Sequence, residues 1–192
     1  ALAPLGEDYI KKAREGFDDR WFDVMENEGK RSGGYSSGSY DTEPYILLNY
    51  NDSLDSLFTT AHELGHSMHS YYTRKTQPYV YGDYSIFLAE IASTTNELLL
   101  LNYMIDHAKD EKEKAYLLNH YVNSFKSTVF RQTMFAEFEL EANKLVENSI
   151  PVTAEKLNQI YHDLNVDYFG EDIKVDKYIS TEWARIPHFY MF

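Results

Sequence analysis

The chain of 192 residues has no cysteine, and its basic side chains are few. The lack of cysteine excludes disulfides and thiolate chemistry and fits a reducing compartment, so we expect a cytoplasmic protein. It also means that any bound metal must be held by histidine and carboxylate groups. The 18 basic residues face 31 acidic ones, for a formal net charge of -13. Such a chain repels phosphate backbones, so we expect no nucleic-acid partner.

Long apolar runs are missing as well. No stretch approaches the roughly 18 apolar residues of a membrane-spanning helix, and no secretory signal is present, so we expect no membrane partner. Internal repeats and low-complexity tracts are also lacking. The length suffices for one domain with its own core, and we expect residues 1–192 to form a single domain.

The apolar pattern predicts a mainly helical fold. Helices are expected over residues 8–28, 54–72, 85–107, 112–148 and 151–168. After the first of them, a glycine- and serine-rich break over residues 32–39 precedes a short buried strand over Tyr45–Tyr50. The predicted fold class is therefore mainly α, with a small β-hairpin or sheet near residues 30–50.

One pentapeptide points to metal chemistry. His62-Glu63-Leu64-Gly65-His66 fits the pattern H-E-x-x-H. On a helix, residues i and i+4 share one face, so both imidazoles can bind one ion. Glu63 lies about 60° around the helix from His66, beside the metal, where a carboxylate can take a proton from water. The motif predicts two ligands and a general base, although the pentapeptide alone also fits an ordinary solvated helix face.

Glu90 is the candidate for a third ligand, because catalytic zinc usually has three protein ligands and a water. Its neighbours in the sequence are apolar, a setting in which an unpaired carboxylate would be costly. His66 lies about 9 Å before the end of its predicted helix, and Glu90 lies about 8 Å after the start of the next. Two antiparallel helices would bring them level. The alternative is a glutamate on a polar helix stripe.

Helix geometry also suggests roles for three further residues in or near the motif. Glu97 lies two helical turns after Glu90 on the same face, and it either accepts the second ring N–H of a ligand histidine or is a surface carboxylate. His69 lies about 300° around the helix from His66, which favours a surface or interhelix histidine over a ligand. Gly65 costs about 1 kcal/mol relative to alanine inside a helix, which suggests close packing there.

Distinctive sequence blocks extend along nearly the whole chain. They are Pro4-Leu5-Gly6, Gly29-Lys30-Arg31-Ser32-Gly33, Tyr35-Ser36-Ser37-Gly38, Pro44-Tyr45-Ile46-Leu47, Ala61 to Ser70, Ala89 to Thr94, Asn96-Glu97, Phe130-Arg131 to Glu137, and Arg185 to Tyr190. Together these blocks resemble the oligoendopeptidase F branch of the thimet oligopeptidase family of zinc metallopeptidases.

The resemblance implies a zincin-like helical catalytic core that cleaves short peptides inside a deep channel, usually in the cytosol. It assigns one zinc ion per chain to His62, His66 and Glu90. It further implies that a late histidine, matching His188, helps to stabilise the tetrahedral intermediate. Taken alone, His188 beside Pro187 would be interpreted as structural.

The chain also departs from the family pattern. The family continues beyond the late histidine into a tyrosine-rich segment that contacts substrate, whereas this chain stops at Phe192. The large N-terminal half that forms the opposite channel wall is missing too. We therefore expect residues 1–192 to be part of a metallopeptidase catalytic domain, with exposed channel surface that favours self-association.

Peptide hydrolysis is the function that these observations favour, and two alternatives stay open. One is a thermolysin-type peptidase of another family, against which the sequence around Ala89–Ser93 argues. The other is a non-catalytic metal-binding helical domain, which a site closed by four protein ligands would favour. Under the peptidase hypothesis, we expect the Tyr45–Tyr50 strand to pair with an extended substrate, its edge shaped by residues 32–39.

The chain alone is expected to bind zinc but to have weak or no peptidase activity. Both ligand helices lie within residues 54–107, whereas catalysis also needs a positioned substrate and oxyanion donors, each donor being worth on the order of 100-fold in rate. The measurement is peptide hydrolysis by this chain and by the full-length parent at equal zinc content. Equal kcat/KM values would contradict this expectation.

Overall fold

The protein was analysed as a computed structural model that describes residues 1–170 and 172–190. In this part of the chain the helices are α1 (Glu7–Asp18), α2 (Leu54–Thr76), α3 (Ile86–Asp106), α4 (Glu111–Phe125), α5 (Arg131–Glu147) and α6 (Ala154–Phe169). The strands are β1 (Phe22–Asp23), β2 (Tyr35–Ser37) and β3 (Tyr45–Leu47). The mainly helical fold class with a small sheet is confirmed. None of the described helices is both long and apolar enough to cross a membrane.

The start of α2 is set by its own sequence. The Ser53 hydroxyl accepts a hydrogen bond from the Ser56 backbone N–H, and the Ser56 hydroxyl accepts one from the Ser53 N–H. This reciprocal pair satisfies two backbone donors that the first helical turn leaves free. Because the cap fixes where the helix begins, it also fixes which face carries the H-E-x-x-H residues.

The predicted helix over residues 8–28 is wrong in its second half. α1 ends at Asp18, and Arg20 has a left-handed backbone with φ of 60°. The chain then reverses, so that the Trp21 N–H donates to the Gly16 carbonyl and Phe22 stacks on Phe17 at 4.2 Å between ring centroids. Of the apolar residues that continued the helical period, Trp21 is thus buried by a turn rather than by a helix, and Met25 is exposed.

The sheet has the strand order β1-β3-β2. β3 pairs with β2 in antiparallel orientation and with β1 in parallel orientation, with Ile46 opposite Phe22. Both edges of β3 are therefore occupied, and the expectation that the Tyr45–Tyr50 strand adds a substrate strand is wrong. The outer edges of this sheet belong to β1 and β2 instead. The prediction failed because the sequence pattern did not indicate that β1 pairs with the second edge of β3.

The segment predicted as one helix over residues 112–148 is helical throughout, but its hydrogen bonding changes midway. α4 passes into a π-helical stretch over Lys126–Phe130 before α5 begins. A π-helical turn accommodates an extra residue within a continuing helix. α6 begins after the Thr153 cap and ends before Gly170, as predicted.

The chain forms two compact units, Ala1–Leu117 and Leu118–Phe192, each with its own core. The first unit buries side chains of α1, the sheet and α2, among them Trp21, Ile46, Leu48, Leu64 and Met68. The second buries Met134, Phe138, Tyr161 and Leu164 between α5 and α6. The expectation of a single domain stays a prediction.

α2 and α3 approach each other closely at Gly65. A Cβ atom placed on Gly65 would lie 2.6 Å from the Ser93 Cα and 2.8 Å from the Ala92 carbonyl oxygen. Both of these are backbone atoms of α3, which cannot give way without moving the helix. The close packing that the sequence suggested at Gly65 is confirmed, and it brings the backbones of the two helices together.

The substitution Gly65→Ala is expected to destabilise the chain by about 1–3 kcal/mol, through overpacking against the α3 backbone. At an open helix position, the same change would stabilise by up to about 1 kcal/mol. The sign of the change in unfolding free energy, measured by urea denaturation, is therefore diagnostic. Asn102→Ala on the exposed side of α3 is the control and is expected to stay within about 0.5 kcal/mol of the wild type. Stabilisation by Gly65→Ala would contradict the close approach.

Candidate metal centre

The three predicted ligands meet between α2 and α3. The His62 Nε2 and His66 Nε2 atoms are 3.0 Å apart. Glu90 places Oε2 at 3.4 Å from His62 Nε2 and Oε1 at 3.8 Å from His66 Nε2. Among the residues that the structure describes, this is the one group of three such side chains whose donor atoms lie within 4.8 Å of one another. Two imidazole nitrogens and a carboxylate form a donor set typical of catalytic zinc.

The position of Glu90 was predicted correctly from helix geometry, but the argument from burial was wrong. Its side chain is 48% exposed, and Ile86 and Phe87, one turn earlier, are 73% and 72% exposed. An apolar sequence context therefore did not mean an apolar environment. Glu90 is instead held by Ser93, whose buried hydroxyl donates at 3.1 Å to Glu90 Oε2 or to the Glu90 carbonyl. The sequence analysis missed Ser93, and its only signal was the i,i+3 spacing.

Glu97 accepts a hydrogen bond from His62 Nδ1, as the sequence analysis proposed for a ligand histidine. A proton on Nδ1 leaves the lone pair of Nε2 free to face His66 and Glu90. Burial lowers the pKa of His62, but the hydrogen bond and charge of Glu97 outweigh burial, and the pKa is raised overall. Glu97 therefore fixes both the orientation and the basicity of the ring.

His66 has a different electrostatic environment. Burial and the neighbouring His62 lower its pKa, although Glu90 and the backbone of Ala89 act in the opposite direction. The lowered pKa favours the neutral ring, which is the form that binds metal. The two imidazoles thus differ: the carboxylate of Glu97 raises the basicity of His62, and desolvation favours the neutral form of His66.

Glu63 lies next to this group without being part of it. The residue is only 7% exposed, and the backbone of Ser36 in β2 lies close enough to its carboxylate to act against the rise of its pKa. Burial raises the pKa of Glu63, with the negative charge of Glu90 adding to the effect and His62 opposing it. The absence of a side chain at Gly34 allows this approach, since a Cβ there would lie 2.8 Å from Thr59 Cγ2 and 3.4 Å from Glu63 Cγ.

β2 is fixed to α2 beside the site. The hydroxyls of Ser36 and Ser67 are 2.7 Å apart, and Ser67 is completely buried. Together with the contact between Ser36 and Glu63, this bond holds the edge strand along the helix that carries the two histidines. His69, further along α2, contacts the Tyr84 ring edge-on at 4.2 Å and lies outside the ligand group, as expected.

The remaining predicted site residue, His188, lies in the second unit, in a short 3₁₀ helix over Pro187–Tyr190. The preceding 3₁₀ segment is held by Glu182, which accepts hydrogen bonds from Arg131 at 2.8 Å and from the Tyr161 hydroxyl at 2.7 Å. Phe189 packs against this unit's core. The role of His188 in the reaction stays a prediction.

Comparison with known proteins identifies the family. The model of "Peptidase family M3" matches residues 3–192. This chain belongs to peptidase family M3. Members of this family are generally metal-dependent, which agrees with the group formed by His62, His66 and Glu90.

Relatives in this M3 family are much longer than the chain. It is 57% identical to Oligopeptidase PepF of Bacillus subtilis, covering 98% of this chain and 28% of that protein. It is 54% identical to the chromosomal Oligoendopeptidase F of Lactococcus lactis subsp. cremoris, covering 98% and 31%. A crystal structure of a protein assigned as a peptidase of Chlamydophila abortus has a TM-score of 0.82 at 46% identity, covering 100% of this chain and 32% of that one. The chain therefore spans about a third or less of these relatives.

The substitution Glu97→Ala is expected to weaken zinc binding by about 10- to 100-fold without unfolding the chain, because His62 loses the partner that orients it. The measurement is competition with a chromogenic chelator, with circular dichroism as the check on folding. Glu28→Ala removes an exposed glutamate distant in sequence from the ligands and is the matched control. Equal affinities of the two variants would show that Glu97 has no such role.

Proposed function

We propose that this chain is the metal-binding part of a zinc-dependent endopeptidase that hydrolyses peptide bonds in short oligopeptides. The observation that carries the proposal is the position of Glu63. It is adjacent to one ligand histidine and buried against an edge strand, yet it lies outside the group of three donors. A purely structural metal site has no use for such a carboxylate, whereas hydrolysis needs a base beside the metal.

The residues present fit zinc. His62, His66 and Glu90 would hold the ion, and three protein ligands leave a position for water, as in other catalytic zinc sites. The hydrogen bond from His62 Nδ1 to Glu97 is the kind of outer contact that ligand histidines make. Zinc bound here would lower the pKa of water and polarise the carbonyl of the scissile bond.

In this proposal, Glu63 moves the protons. Its carboxylate takes a proton from the attacking water and passes it to the nitrogen of the leaving amine. The raised pKa of Glu63, caused first by burial, makes the carboxylate a better base than an exposed glutamate. The backbone of Ser36 orients the side chain, so the same strand that would bind substrate also positions the base.

β2 is the strand that we propose to bind the peptide. Its outer edge is not paired within the described sheet, and an extended substrate can add to such an edge through backbone hydrogen bonds. The backbone groups of β2 that face away from β3 would make these bonds, which replaces the earlier expectation for β3. Recognition through the backbone suits an enzyme that accepts peptides of varied sequence.

Two further elements of the proposal come from the family resemblance. His188 would help to stabilise the oxyanion of the tetrahedral intermediate, and the location would be cytoplasmic. The parent protein would supply the opposite wall of the substrate channel, since its relatives extend well beyond the matched region. Exposed apolar residues near the site, including Tyr79, Val80, Ile86 and Phe87, would then favour self-association of the chain alone.

The alternatives have less support. A non-catalytic site would be expected to have four protein ligands, and the group in the described residues has three. A thermolysin-type peptidase of another family is disfavoured by the match to family M3 over residues 3–192.

The decisive variant is Glu63→Gln in the full-length enzyme. It is expected to retain zinc and to lose nearly all peptidase activity, because only proton transfer is removed. His66→Ala is expected to lose both, and Glu28→Gln to retain both. Zinc content by atomic emission and peptide hydrolysis are measured on the same samples. Loss of zinc in Glu63→Gln would mean that Glu63 is a ligand, and retained activity would exclude it as the base.

A further inference from the structure

Asn96 is a buried polar residue that neither the ligand set nor the proposed chemistry uses. It is 1% exposed and lies on α3 directly before Glu97. Its amide Nδ2 donates to the Ala61 carbonyl at 3.1 Å, and its Oδ1 accepts from the Tyr9 hydroxyl at 3.0 Å. Placing such a side chain in a core is costly unless its hydrogen bonds are made, and here both ends are bonded.

The hydrogen bond between Asn96 and Ala61 joins two residues that are each next in sequence to a residue of the site. Ala61 immediately precedes His62 on α2, and Asn96 immediately precedes Glu97 on α3. The bond between Asn96 and Ala61 therefore runs beside the bond between Glu97 and His62. Since side-chain bonds of this length tolerate little sliding or rotation of one helix against the other, the first bond fixes the register on which the second depends.

Tyr9, from α1, completes the arrangement. A backbone carbonyl can only accept, so the Asn96 amide must face Ala61 with its nitrogen and Tyr9 with its oxygen. The Ala61 carbonyl thus selects this orientation of the amide, and the Tyr9 hydroxyl satisfies the amide oxygen by donating to it. Burial raises the pKa of Tyr9 to about 12, which keeps the hydroxyl protonated at neutral pH. Helix α1 is thereby linked to the ligand helix through a single amide.

We propose that Asn96, anchored by its hydrogen bond from Tyr9, is a positioning residue that holds Glu97 on His62 Nδ1 and thereby sets the metal affinity of the site. The proposal rests on the proposed function for its metal, and the hydrogen bond that it explains joins Glu97 to His62 Nδ1. An apolar residue at position 96 would fill the same space but could not make the hydrogen bond that the Asn96 side-chain amide makes between α3 and α2. The effect of Asn96 is therefore exerted through Glu97, not on the metal or substrate.

The first test removes one oxygen atom at Tyr9. Tyr9→Phe is expected to weaken zinc binding by roughly 3- to 10-fold, less than the loss of the direct partner Glu97. Tyr72→Phe is the matched control, because its ring lies 6.4 Å from that of Tyr9 and no hydrogen bond of its hydroxyl is found in the described residues. The control is expected to stay within about twofold of the wild type. Equal zinc affinities of the two folded variants would overturn the proposal.

A second readout separates positioning from general stability. The His62 Nδ1–H proton resonance in the metal-free chain, assigned by its absence in His62→Ala, reports directly on the bond to Glu97. It is expected to shift or broaden in Tyr9→Phe and in Asn96→Ala, and to be unchanged in Tyr72→Phe. An unchanged resonance in folded Asn96→Ala would overturn the proposal, even if the unfolding midpoint falls.

A double-mutant cycle identifies the route of the effect. If Asn96 acts through Glu97, then Asn96→Ala combined with Glu97→Ala is expected to bind zinc no more weakly than Glu97→Ala alone. Additive losses would show that Asn96 acts separately and would contradict the proposal. A wild-type chain that binds no zinc would instead overturn the proposed function, while the His62 resonance would still test the role of Asn96.

Discussion

The close approach of α2 and α3 is the constraint on which the site depends. With a hydrogen atom in place of a side chain at Gly65, the Ser93 backbone comes within 2.6 Å of the Cβ position. At this separation, side chains of the two helices can contact each other directly. The contacts of Glu90 and Glu97 with His62 are both contacts between α3 and α2. A wider crossing would lengthen these contacts together, because all of them span the same interface.

A second physical theme is the concentration of negative charge around two imidazoles. The charges of Glu63, Glu90 and Glu97 all act on His62, and the three carboxylates differ in the groups that they face. Glu97 contacts Nδ1, Glu90 faces Nε2, and Glu63 is turned toward β2. Three carboxylates in one place repel one another, and a divalent cation would offset that repulsion. The arrangement is therefore suited to a metal on electrostatic grounds as well as through its ligands.

In the proposed function, the small sheet links substrate binding to the base. Because β3 lies between the other two strands, the outer edges of the sheet are those of β1 and β2. Of these two strands, β2 is the one that contacts Glu63 and is bonded through Ser36 to α2. A peptide added to that edge would lie beside the residue that we propose to transfer protons. The lack of a side chain at Gly34 permits the approach of this strand to Glu63, so the glycine- and serine-rich break over residues 32–39 has a steric role.

The sequence by itself determined what depends on local spacing: the capped start of α2, the i,i+4 histidines, and the level of Glu90 on the next helix. Tertiary structure decided the rest. The turn at Trp21 follows from burial, which the helical period of α1 could not indicate. The exposure of Glu90 and the connection from Tyr9 through Asn96 depend on which elements pack together. Contacts between residues 35 or 87 positions apart leave no periodic signal in a single sequence.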